Sequence, residues 1–369
     1  MNKTIFNKIL FNYPLFKEKS LFGRYITLQD IKPIINNLDT NFSVKIIGKS
    51  FLDKNIYSIK IGSGKTKILV WSQMHGNEST GTKALFDVLS YFNYTKDQQN
   101  MQDLLSSITF LFLPMLNPDG AEMYSRFNAQ QIDLNRDATD FKAPESRILH
   151  NILHSFNPDY CFNLHDQRTL FLIGKENLPA TLSFLAPSED ESRSVTPTRI
   201  KTMQVIVGIY EVLQKFIPNQ IGRYTDEFYP TATGDNFQKA GFPTILIESG
   251  HFYNDYQREQ TRKYNFMALI SGFMAISSKS QKANYESYFS IPNNKKDFLD
   301  FIYTNIEING EKKIVGIRYK EILKNKKVCF LKEFIILPSI SGLGTNSFNN
   351  KQLSFSSINE FKKFITNKK

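Results

Sequence analysis

The apolar and polar positions divide the chain into three textures. In the first 40 residues, T-L-Q-D-I-K-P-I-I-N-N-L has helical spacing, with Thr27 or Asp30 placed to cap its start. From Phe42 the pattern alternates. F-S-V-K-I-I-G-K-S and N-I-Y-S-I-K-I-G predict two strands of a hairpin turning at Asp53 to Asn55. Four short, nearly continuous apolar runs then recur: K-I-L-V-W-S, I-T-F-L-F-L-P-M, P-D-Y-C-F-N-L and F-P-T-I-L-I. Helical spacing follows the first of them in T-K-A-L-F-D-V-L-S-Y-F. Strands apolar on both faces belong to a buried, largely parallel sheet covered by helices. The expected fold is therefore α/β, with a mixed, largely parallel central sheet flanked by helices. From about Tyr285, K-K-I-V-G-I-R-Y and K-K-V-C-F-L-K-E-F-I-I-L predict a small, mostly β C-terminal domain. The division is a helical lead-in over 1–40, a catalytic domain over 41–283 and the β-rich domain over 284–369.

Each of the four runs delivers ionisable residues at its carboxyl end. The first enters H-G-N-E, with His75 and Glu78; the second enters L-N-P-D-G, then Arg126 and D-L-N-R-D; the third ends at His165 and the fourth at Glu248. Ligands of such sheets bind outside the carboxyl ends of the strands, so these residues are placed to converge. His75, Glu78 and His165 supply the two imidazoles and one carboxylate of a hydrolytic zinc site, which keeps a fourth position for water. Taken alone, His-x-x-Glu also fits an ordinary polar loop. His150 and His154, four apart in S-R-I-L-H-N-I-L-H, are read as an exposed or half-buried helix face.

Gly64, Lys65 and Thr66 mimic the end of a phosphate-binding loop. The motif fails because Ile59 stands where its first glycine belongs and because a strand, not a helix, follows; a polar hairpin turn is the expected structure.

Composition excludes several classes. The formal charge of +11 comes from lysines scattered among Asn, Ile and Phe rather than from a basic stripe, so no nucleic-acid partner is expected. The apolar run Phe266 to Ile276 is too short to cross a bilayer, so no membrane partner is expected either. No secretory leader is read at the start, and Cys161 and Cys329 are too few for a disulfide framework, which together predict a cytoplasmic protein. Cys161 is read as a small core residue. The oligomeric state is left open.

The ordered series H-G-N-E, L-N-P-D-G, an arginine, D-L-N-R, N-L-H and I-E-S resembles the zinc carboxypeptidases of the carboxypeptidase A family, over roughly Ile68 to Ser249. The form resembled is a bacterial-type metallocarboxypeptidase; the interval from Glu78 to His165 departs from the long animal digestive enzymes in being short, which implies that their pocket-shaping loops are missing. The resemblance implies one zinc ion on His75, Glu78 and His165, with Glu248 as general base and acid for an attacking metal-bound water. It implies that Arg126 steadies the developing oxyanion, that Asn135 and Arg136 hold the substrate's terminal carboxylate, and that Asp133 supports His75 from behind. The family's mobile tyrosine has no fixed counterpart in the motif series, Tyr229 being the candidate and Tyr224 the reserve; Thr233 and Asp235 are the candidates for the specificity pocket. His251 either lines the site or packs beneath it.

The expected activity is removal of a C-terminal residue from a peptide. Two other hydrolytic readings stay open: deacylation of N-acyl amino acids, as in aspartoacylase and succinylglutamate desuccinylase relatives that also carry a β domain, and cell-wall peptide amidase. A binding protein on a degenerate peptidase scaffold is the non-enzymatic alternative.

Overall fold

A computed structural model describes residues 3–278 and 283–367. The first two residues of the lead-in and the last two of the C-terminal region lie outside the described residues. Helices α1 (Lys3–Phe16) and α2 (Leu28–Asn36) precede the strands β1 (Ser43–Lys49), β2 (Asn55–Ile61) and β3 (Thr66–Ser72). There follow α3 (Thr80–Tyr94), α4 (Gln99–Ser107), β4 (Ile108–Leu113), α5 (Pro118–Met123), α6 (Pro144–Phe156) and β5 (Tyr160–Asp166). After a short hairpin, β6 (Leu172–Ile173) with β7 (Leu178–Pro179), come β8 (Leu182–Leu185), α7 (Pro197–Leu213), β9 (Ile221–Arg223), α8 (Thr233–Lys239), β10 (Thr244–Ser249) and α9 (Glu259–Ser277).

The main sheet has the order β1-β2-β4-β3-β5-β10-β8-β9. Its centre, β4-β3-β5-β10, is parallel, while β2 joins β4 and β8 joins β10 in antiparallel fashion. Both faces are buried, which explains the continuous apolar runs. On β3, Ile68 and Val70 join the core under α3, α7 and α9, while Leu69 and Trp71 join a second core with Leu149 and Leu153 of α6 and Phe237 of α8. Cys161 lies fully buried in that second core.

The β1–β2 hairpin turns through Asp53 in the left-handed region, and Thr27 starts α2 with the Asp30 carboxylate accepting from its backbone N–H. Two features differ from expectation. Residues 62–65 form no hairpin turn, because β4 lies between β2 and β3. The chain crosses there against the α4–β4 junction, so closely that a Cβ on Gly64 would stand 1.8 Å from the Ser107 carbonyl carbon. The lead-in also contains a second helix, α1, whose Phe6, Ile9, Tyr13 and Phe16 face the main core at helical spacing.

The C-terminal region forms its own sheet, β13 (Lys327–Leu337), β12 (Glu311–Lys324), β11 (Phe298–Ile308) and β14 (Gly344–Asn349), with β15 (Leu353–Phe355) also pairing with β11. Its core joins Tyr303, Ile306, Val315 and Ile317 to Phe361 and Ile365 of α10 (Ile358–Asn367). Among the described residues no helix is long and apolar enough to cross a membrane.

Candidate metal centre and substrate site

The centre is built on the turn between β3 and α3. Gln73 takes a left-handed conformation at the strand end, and the Glu78 N–H closes a tight turn on the His75 carbonyl at 3.1 Å, turning both side chains to one side. The turn is buttressed by the segment after β4. Asn117 donates to the Met74 carbonyl at 3.0 Å, and its own backbone N–H reaches the Gln73 carbonyl at 3.1 Å. Gly76 lies directly on Gly120, where a Cβ would stand 1.9 Å from the Gly120 carbonyl carbon. The glycine of H-G-N-E is thus needed because the Gly120 backbone fills the place of a side chain, while Gly120 itself is closed in by the Asn117 side chain and the Phe127 carbonyl.

His165 arrives from β5, immediately beside β3. Its Nδ1 lies 3.2 Å from His75 Nδ1 and 2.9 Å from Glu78 Oε2, while His75 Nδ1 lies 2.8 Å from Glu78 Oε1. All three residues are buried, and one ligand atom from each lies within 4.8 Å of the others. Behind His75, Nε2 meets Asp133 Oδ1 at 3.0 Å, which orients the ring with Nδ1 forward. The Asp166 N–H donates to Glu78 Oε2 at 3.1 Å. Two imidazole nitrogens and a carboxylate converging without intervening bulk suit a zinc ion and its preference for N and O donors.

The electrostatics agree with that fit. Burial would raise the Glu78 carboxyl, but His75 and His165 hold it well below the usual range. Burial would lower the His75 imidazole, but Glu78 and Asp133 outweigh it and raise it; at His165 burial prevails and lowers it. Burial and the neighbouring Glu78 carboxylate push Glu248, half-buried and paired in register with His165, up to about 8. A cation held by the three ligands would oppose that shift.

Arg126 reaches the same centre, with Nε on Asp133 Oδ2 at 2.9 Å and a guanidinium nitrogen 3.6 Å from Glu78 Oε1. A second group lies alongside. Asn135 Oδ1 accepts from the Thr233 N–H at 3.1 Å, and the exposed Arg136 guanidinium lies over the Tyr229 ring at 5.0 Å. Asp235, buried, accepts from the Tyr229 N–H at 3.1 Å, and burial pushes its carboxyl up to about 6.

The two tyrosines part company. Tyr229 is exposed against Arg136, whereas Tyr224 is half-buried on Phe171, where burial and then Glu248 raise its hydroxyl. His251 points away into the C-terminal region, with Nε2 on Asn346 and its ring against Phe298, so it packs rather than lines the centre. His150 and His154 stack on α6, outside this group. Sequence reasoning passed over Asp166, although it follows His165 at the same strand end, and also Arg24 and Arg258, for which no local pattern exists.

A buried His–Glu–His group at the carboxyl ends of parallel strands, with a carboxylate beside it and an open guanidinium nearby, defines a metallohydrolase-type centre. Residues 31–196 match the family model for zinc carboxypeptidase, peptidase M14. That stretch, somewhat under half of the chain, is what resembles the zinc carboxypeptidases. The match takes in His75, Glu78, Arg126, Asn135, Arg136 and His165, whereas Glu248 lies beyond it. The chain is 29% identical over 161 residues to carboxypeptidase 2 of Trichophyton rubrum, covering 42% of this chain and 27% of that protein. It is 28% identical over 123 residues to carboxypeptidase Z of Mus musculus, covering 28% and 19% respectively. It thus spans under a third of the length of these curated relatives. Among solved structures, the fold resembles carboxypeptidase A from Helicoverpa armigera, with a TM-score of 0.53, 16% identity and coverage of 75% of this chain and 81% of that one. The metallo-carboxypeptidase from Burkholderia cenocepacia gives a TM-score of 0.53 at 16% identity, covering 67% of each chain.

Proposed function

We propose that the protein is a zinc-dependent carboxypeptidase that removes the last residue of a peptide with a free C-terminal carboxylate. The observation that carries this reading is the buried His75–Glu78–His165 group together with an exposed Arg136 guanidinium three residues along the chain from Asp133, which bonds His75. His75, Glu78 and His165 would hold one zinc ion, which when bound would supply Lewis acidity to the scissile carbonyl and to the attacking water. Glu248 takes the proton of the attacking water and returns it to the leaving amine, from a strand position in register with His165. Arg126 donates to the oxygen that gains charge, and its anchoring on Asp133 fixes it in advance. Arg136 grips the terminal carboxylate through its planar fork, with Asn135 beside it. Tyr229, already against Arg136, closes over the bound residue, and Thr233 and Asp235 set its side-chain preference. The short run between Glu78 and His165 supports a compact, bacterial-type form of the family.

The test is a panel of peptides offered to the zinc-repleted chain as free acids and as C-terminal amides. Release of the last amino acid from the free acids, suppressed in the amides, is expected. Release from N-acyl amino acids with intact peptides left untouched would replace this reading with a deacylase.

A further inference from the structure

The C-terminal region touches the segments that carry the site residues. Asn346 of β14 bonds His251, three residues past Glu248. Asn294, leading into β11, donates to Gln167 Oε1 at 2.9 Å, two residues past His165. Glu321 of β12 accepts from the Tyr124 hydroxyl at 3.0 Å, two residues before Arg126.

Glu321 differs from the other two contacts because it brings a charge. Its Oε1 accepts from Arg24 at 2.5 Å, and the Arg24 carbonyl in turn accepts from the Ser79 hydroxyl at 2.6 Å, one residue past Glu78. Deeper lies Arg258, fully buried, which donates to the carbonyls of Ser249 at 2.6 Å and Gln167 at 2.5 Å and stands 3.3 Å from Asp166 Oδ2. That same Asp166 oxygen accepts from the Thr80 hydroxyl at 2.7 Å, and the Asp166 N–H holds Glu78 Oε2. Two buried guanidinium groups and one carboxylate leave an uncompensated positive charge under the metal turn, which a low-dielectric interior penalises. Burial, then Arg24, lowers the affinity of Arg258 for its proton, while Asp166 and Glu321 oppose this. Burial alone would raise the Glu321 carboxyl, but Arg24 and Arg258 hold it low, so it stays ionised against both. Arg24, Arg258 and Glu321 all lie outside the residues matched to the zinc carboxypeptidase family.

We propose that Glu321, supplied by the C-terminal region, is a positioning residue of the metal centre: it engages Arg24 and leaves Asp166 to Arg258 and Thr80, and so fixes the N–H that orients Glu78. Without that carboxylate, Arg24 competes for Asp166, and the Asp166 backbone moves with its side chain. The inference rests on the metal reading of His75, Glu78 and His165.

The test uses the full chain stripped of metal and titrated with cobalt(II), with zinc affinity measured by chelator competition. Glu321→Gln is expected to weaken zinc by about 10- to 100-fold, as for other groups that orient metal ligands, and to shift the visible cobalt spectrum. Asn346→Ala loosens the same docked region without touching the arginines. It is expected to lower the melting temperature while leaving zinc affinity within about twofold. Zinc binding by Glu321→Gln equal to wild type, or weakening by Asn346→Ala as large as that by Glu321→Gln, would overturn the proposal. If Glu321→Gln does not fold, Tyr124→Phe decides: a several-fold loss of zinc affinity supports the role, and no change overturns it. A wild-type chain that takes up no cobalt overturns the metal reading and this inference with it, a result distinct from a variant that merely matches a cobalt-binding wild type.

Discussion

The His75–Glu78–His165 corner and the Arg136 rim proposed to grip the substrate carboxylate are built to opposite rules. His75, Glu78 and His165 are buried, and each is held by at least one other fixed group, so their positions are set before any ligand arrives. Arg136 is exposed and, among the described residues, bonds its neighbour's carbonyl and the face of Tyr229. The difference teaches which atoms must be placed in advance and which are completed by substrate. Pre-organised donors stabilise charge without reorganisation, whereas a guanidinium left in solvent gains its partner only on binding.

Substitutions should separate the two regions. His165→Ala is expected to have the largest effect, with loss of near-stoichiometric zinc by elemental analysis and of all peptidase activity. Glu248→Gln should keep zinc and lower kcat by about 10²- to 10⁴-fold, the usual contribution of a positioned acid–base group; metal analysis beside steady-state kinetics checks both halves. Arg136→Ala should lower kcat/KM by roughly 30- to 100-fold, mostly through KM, because a charge-assisted carboxylate contact contributes about 2–3 kcal/mol. Zinc content and melting temperature should not move; a metal loss here would erase the distinction between corner and rim. Asp133→Asn leaves His75 without its anionic support and should weaken zinc about tenfold by chelator competition. The smallest effect is expected at the exposed stack: Tyr229→Ala should change KM about two- to fivefold, as its cation–π contact is worth about 0.5–1 kcal/mol.

How much of this was legible follows from what each feature needs. The four strands announced themselves because burial on both faces demands unbroken apolar runs, and their carboxyl ends located His75, His165 and Glu248. Helix α2 carried its capping signal in Thr27 and Asp30. Helix α1 was equally encoded in Phe6, Ile9, Tyr13 and Phe16 but was obscured by flanking Asn, Lys and Phe positions. The position of β4 between β2 and β3 left no local trace, since strand order is decided by packing rather than by the connecting loop. Arg24, Arg258 and Glu321 were illegible for a related reason. They pair across more than 200 residues or act on backbone carbonyls, and neither leaves a spacing in the sequence. That Tyr229 rather than Tyr224 lies against Arg136 likewise left no trace in the sequence.

The contact between Gly76 and Gly120 carries a consequence for recognising distant kin. A methyl group on Gly76 would run into the Gly120 backbone, and one on Gly120 would press on the Asn117 side chain that holds the Met74 carbonyl, so a shift at either glycine would disturb the turn bearing His75 and Glu78. The two motifs are therefore halves of a single steric lock, and chemistry sits on top of it. A descendant that exchanged its ligands for another metal, or abandoned catalysis altogether, would still be bound to keep both glycines.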